Sequence, residues 1–143
     1  MQPREVIMAA LFALVSGAAA FASTSRRIKL WGDTPSSDKP ALFMYEREDF
    51  YTNGKNYLPI VEMNVDFFIY IDAGKDQSIT PISVLNNLID AVEAALKPNP
   101  QTQRQTLGGL VSHCYIDGKI MKEPGDLDGD GIAVIPVKIL ATV

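Results

Sequence analysis

The sequence predicts an α+β fold, a mostly antiparallel β-sheet with two principal helices in the order α-β-β-β-α-β-β. Three observations lead there. From Ile60 to Asp72 the chain alternates strictly, with Val61, Met63, Val65, Phe67, Ile69 and Ile71 on one face and Glu62, Asn64, Asp66, Phe68, Tyr70 and Asp72 on the other. Immediately afterwards the period changes: Ile82, Leu85, Leu88, Ile89, Val92 and Leu96 recur at helical spacing. Shorter strand-like segments stand on both sides of these two elements, without the regular strand–helix alternation of a parallel sheet.

The first element is the ambiguous one. Residues 6–25 carry no charge, and Arg4 precedes them, with Ala18-Ala19-Ala20 or Ala20-Phe21-Ala22 near their end. That pattern fits a secretory signal peptide with an A-x-A cleavage site. It fits equally a helix covered on both faces. Two details favour the helix. Glu5 nearly cancels Arg4, where export favours a positive segment, and Pro3 and Gly17 suit the first helical position and a helix end. A membrane span is disfavoured, because Ala, Ser and Gly dilute the stretch and it barely reaches about 20 residues.

The remaining elements follow in order. Arg26 to Trp31 alternates polar and apolar residues and predicts a short strand; the segment from Gly32 to Lys39, with Pro35, is a loop. Ala41 to Glu46 predicts a second strand, and Asn53-Gly54 a tight turn, since both residues tolerate positive φ. Phe68 and Tyr70 interrupt the polar face of the long third strand and mark a place where another element or subunit covers it. The second helix has Thr80 at the N-cap, Pro81 at N1 and Pro98 beyond its end, with Asn86, Asn87, Asp90 and Glu93 on the outer side. A polar linker, 97–106, leads to two more strands, around Val111 to Ile120 and Ile132 to Leu140. Pro136 places the last strand at an edge or a bulge, because proline cannot donate to a ladder.

Composition narrows the function. At 143 residues the chain is one domain, 1–143, able to bury a core without staples. A net charge of −4 argues against nucleic acid as the main partner, and the single cysteine, Cys114, excludes an intrachain disulfide. Asp126, Asp128 and Asp130 with Gly131 open like a calcium loop, but position 12 is Val137 where a bidentate glutamate belongs, and no helix flanks the segment. An acidic hairpin turn is the preferred reading. His113 and Cys114 are adjacent on a strand and point to opposite faces, so they form no nucleophile–base dyad; the cysteine reads as a small buried apolar residue. Gly108-Gly109 lacks a basic neighbour for a phosphate and reads as a tight connection. Arg26-Arg27 with Lys29 and Trp31 is the compact basic patch, expected to face solvent or a carboxylate of a neighbouring subunit. No catalytic, cofactor or metal site is predicted, and the reading is of a binding or assembly protein rather than an enzyme.

The collinear set of segments carries a resemblance. Arg4-Glu5-Val6 through Met8-Ala-Ala-Leu-Phe12, Ser25-Arg-Arg27 with Trp31 and Asp33, and Lys39-Pro-Ala-Leu-Phe43 form its first half. Leu88-Ile-Asp-Ala-Val-Glu-Ala-Ala-Leu96, Arg104-Gln-Thr-Leu-Gly-Gly-Leu-Val111 and Ile135-Pro-Val-Lys-Ile139 complete it. Together they resemble the tail-terminator (tail completion, minor tail protein U-like) proteins of tailed bacteriophages, over nearly the whole chain including its first residues. The resemblance implies a virion protein of the tail, assembled in the host cytoplasm, that forms a homo-hexameric ring on the head-proximal end of the tail tube. It implies three partners: further copies of itself, the tail tube protein and the head–tail connector. It also implies no membrane, nucleic acid only by passage through the ring lumen, and no catalytic residues. The alternative is an exported acidic binding domain whose N-terminal signal peptide is cleaved.

Overall fold

The computed structural model describes residues 1–53 and 58–143. The elements are α1 (Arg4–Ser16), β1 (Ser23–Ser25), β2 (Ala41–Thr52), β3 (Ile60–Asp72), α2 (Pro81–Ala95), β4 (His113–Ile116), β5 (Met121–Glu123) and β6 (Asp130–Thr142). Two 3-10 turns, Trp31–Asp33 and Ser36–Asp38, lie between β1 and β2. The strands form a six-stranded sheet in the order β1-β2-β3-β6-β4, with β5 also paired to β6. Among the described residues only β1 with β2 is parallel; every other pairing of the sheet is antiparallel. The α+β class and its helix positions therefore stand. Gly54 lies outside the described residues, and with it the expected Asn53-Gly54 turn.

Period-2 patterning decides which face of the sheet is covered. The odd positions of β3, from Val61 to Ile71, are buried, and so are the odd positions of β6, from Gly131 to Ala141. Ile7, Met8, Leu11 and Val15 of α1 and Leu85, Ile89 and Val92 of α2 complete the same core. Both helices therefore share one face of the sheet. Gly131 matters here because it pairs with Ile71 beneath α2: a Cβ there would come within 2.7 Å of Ile71 Cγ1 and 3.1 Å of Leu85 Cδ1. The absent side chain is what lets the helix residue settle onto the strand.

The opposite face is covered by the chain itself. Ile28 and Trp31, from the segment between β1 and β2, pack on the cluster of Ala41, Phe43 and Tyr70, as do Phe68 and Ile132. The Tyr70 hydroxyl donates to the Lys29 carbonyl at 2.7 Å, and Phe43 packs on the Tyr70 ring with centroids 5.2 Å apart. An element of the same chain, one of the two coverings expected here, lies over Tyr70. The strand expected at Arg26 to Trp31 is displaced: the pairing belongs to Ser23–Ser25, three residues parallel to Ala41–Phe43. Of residues 26–31, Ile28 and Trp31 pack on the sheet face while Leu30 is 74% exposed, so the alternation does not mark a strand.

Pro136 requires a correction. β6 is central, flanked by β3 along its whole length and by β4 and β5 on its other edge. The break lies in the neighbour. Ile116 pairs with Val137 and Met121 with Val134, so four residues, 117–120, stand opposite two, 135–136. Pro136 accepts from the Asp117 N–H at 3.0 Å, which directs its nitrogen to the same side, where the interrupted strand offers nothing to receive a donor. The strand expected from Val111 to Ile120 is consequently shorter, β4 at His113–Ile116, and a further short strand beyond it, β5, was not expected; the two lie end to end along β6.

A second bulge lies in β2, between Glu46 opposite Val65 and Asp49 opposite Met63. The Asn64 side chain donates to the Glu48 carbonyl at 3.4 Å, which accounts for a buried amide in the long strand.

Candidate functional site

The sequence-derived candidates scatter over the molecule. His113 and Tyr115 stack on the sheet face away from the helices, with ring centroids 4.8 Å apart, and pair with Leu140 and Lys138. Cys114 points the other way, fully buried in the core, and burial pushes its thiol up to about 12. The separation of the two side chains is the one strand geometry requires. His113 Nδ1 accepts the Gln105 N–H at 3.2 Å, tying the linker after α2 to β4.

Leu107, Gly108 and Gly109 all have positive φ, of 52°, 72° and 93°. The Gly109 N–H donates to both the carbonyl and the hydroxyl oxygen of Thr106, each at 3.1 Å. This is a compact turn that returns the chain to the core at Val111.

Of the basic patch, Arg27 and Lys29 are exposed to solvent, and Arg26 is paired within the chain. Arg26 donates to both carboxylate oxygens of Glu5 at 2.9 and 3.1 Å, and to Glu46 at 2.9 Å. The carboxylates it meets are thus its own, on α1 and β2, rather than a neighbouring subunit's. The guanidinium hydrogen bonds hold Glu5 below the usual carboxylate range, and Arg26 is raised in turn. Arg4 adds a second link from α1 to β2, donating to Asp49 at 2.8 Å and to the Tyr51 hydroxyl. These contacts are exposed and add little to stability; what they set is the entry angle of α1. Nothing local in the sequence signals them, since the partners are 20 to 47 residues apart.

Trp31 is covered by the Lys39 ammonium, 3.0 Å from its ring centroid. Burial lowers Lys39, and the nearby Asp72 and Asp130 carboxylates oppose that shift. Asp72 is held down first by the Ser36 hydroxyl and then by the Gly74 N–H, while Asp130 is raised by burial and by Asp128. This cluster pins the segment before β2 to the end of the sheet.

The acidic segment is a hairpin connection between β5 and β6. The Gly129 N–H donates to Gly125 at 2.7 Å and the Asp130 N–H to Asp128 Oδ1 at 3.0 Å. Gly129, at φ 84°, lies so close to Gly74 that a Cβ would come within 2.3 Å of its carbonyl oxygen. Val137, at the position a calcium loop reserves for glutamate, is buried in β6. Among the described residues no three His, Cys, Asp or Glu side chains converge as a metal site.

Two surface features were not legible as sites. Leu127, between Asp126 and Asp128 at the tip of the acidic turn, is 96% exposed. At the other end of β6, Ile60, Arg104, Ser112, His113 and Leu140 line a mostly apolar groove of about 320 Å³. Its residues come from four separate stretches of chain, which is why no motif announces it. No helix is long and apolar enough to cross a membrane among the described residues. A scan against protein-family models finds no match, and a search of curated proteins finds none either.

Proposed function

We propose that the protein is a structural subunit of a phage tail, closing the head-proximal end of the tail tube as a homo-hexameric ring. The collinear resemblance running from Arg4 to Ile139 carries the reading. It is supported by how those segments are used: α1, which holds the first of them, supplies Ile7, Met8, Leu11 and Val15 to the same core as α2 and β6, which hold later ones. The chain is one folded unit across the span the resemblance covers.

The burial of α1 also weighs against the exported alternative. Cleavage near Ala22 would strip four fully enclosed side chains from the core and leave β1 as the new terminus. Those residues are consequently poor candidates for ring contacts, and so is Tyr70, buried in the cluster that Ile28 and Trp31 pack against. A closed ring needs two different surfaces on each subunit, repeated until the rotation closes.

The test is genetic and visual. Phage lacking this protein should build tails of abnormal length that fail to join heads, with joining restored by the protein supplied in trans. Normal virions assembled without it would overturn the reading.

A further inference from the structure

The Leu127 turn and the Ile60–Leu140 groove have complementary chemistry. The turn presents one leucine, almost wholly exposed, between two carboxylates. Its base is held by the Gly129–Gly125 hydrogen bond and by the close approach of Gly129 to Gly74, so the leucine is offered in a set position. The groove has an apolar floor of Ile60 and Leu140 and a rim of donors. Arg104 makes no ion pair with any described residue. His113 accepts at Nδ1, so the neutral ring carries its proton on Nε2 and is a donor there. An apolar knob flanked by anions thus matches an apolar hollow flanked by a cation and neutral donors.

The two features belong to opposite ends of β6. The turn precedes Asp130, the first residue of that strand, and the groove holds Leu140, so about ten residues of strand, roughly 34 Å, separate them. A molecule cannot fill its own groove. We propose that the occupant is a second copy of this chain, the Leu127 turn of one subunit seating in the Ile60–Leu140 groove of the next. The contact is heterologous, one end of a subunit to the opposite end of its neighbour, and its repetition generates a closed ring or an open filament. This inference rests on the ring reading for its closure, but the contact itself is tested separately.

Leu127→Cys protein mixed with Ser112→Cys protein under mild oxidation should give a disulfide-linked heterodimer, with neither variant linking alone. Cys114 is fully buried and stays out of the reaction. The double variant should form a ladder of linked species ending at six. Arg104→Glu should suppress the heterodimer, and Asp126→Lys with Asp128→Lys on the other partner should restore it. Absence of the heterodimer at the highest soluble concentration overturns the contact, and so does a Ser112→Cys cross-link in assembled tails to a different protein. Rings that persist with Leu127→Asp also overturn the contact while leaving the ring reading in place. A cross-linked ladder that continues past six keeps the contact and refutes the hexameric ring.

Discussion

Leu85→Ala tests the central packing, in which α2 lies on the sheet through a residue with no exposed surface. Truncation of a fully buried leucine costs about 2–5 kcal/mol, the spread reflecting how far the surroundings collapse into the space. Here collapse is restricted. The Leu85 Cδ1 atom lies over Gly131, which has no side chain to move into the vacancy, and Gly131 belongs to a strand paired on both edges. The upper half of the range, about 3–5 kcal/mol, is therefore expected. With a urea slope of roughly 2 kcal/mol/M, the unfolding midpoint should fall by about 1.5–2.5 M at unchanged slope. Circular dichroism and tryptophan fluorescence should report the same transition, since Trp31 packs on the far face of the same sheet. Leu30→Ala is the control, at a residue 74% exposed, and should move the midpoint by no more than about 0.25 M, because an exposed substitution stays within about 0.5 kcal/mol. A Leu85→Ala midpoint within that same margin would refute the packing of α2 on β3 and β6.

Three further outcomes follow from the same geometry. Protein made with its own N-terminus should keep residues 1–22 by intact-mass spectrometry, and a version lacking them should lose cooperative unfolding, because α1 supplies four enclosed core side chains; processing to a stable shorter chain would contradict this. Calorimetric titration of the acidic turn with calcium should show nothing tighter than roughly the millimolar class, as Val137 replaces the closing glutamate; a micromolar isotherm abolished by Asp128→Ala would count against it. Cys114, whose thiol is pushed up from 9.0 to about 12 by burial, should react with a thiol reagent at neutral pH only as fast as the protein opens. Because the folded state holds that proton more tightly than the unfolded one, the thiol's contribution is complete below about pH 9 and declines as pH rises towards 12. Cys114→Ala should lose the cysteine's share of the decline in stability over that window, and a slope unchanged from the parent's would refute the assignment.

What the sequence determined by itself is whatever local periodicity encodes. The limits of β3 and the start of α2 are readable because one is half-buried with period two and the other rests on one face with a proline at its first turn. The opposed directions of His113 and Cys114 follow from the pleat alone. Tertiary structure decided everything that depends on the neighbour. Pro136 sits mid-sheet because β4 and β5 break opposite it, a property of residues 117–120 that Pro136 does not announce. Ile28 and Trp31 pack against the cluster of Ala41, Phe43 and Tyr70 instead of lying in a strand, and Tyr70 donates to the Lys29 carbonyl 41 residues back along the chain. Arg26 spends its charge on Glu5 and Glu46, and the groove beside Leu140 draws its lining from four stretches of chain. A side chain's periodicity states which way it points; only the folded chain supplies what it meets there, because those contacts join segments far apart in sequence.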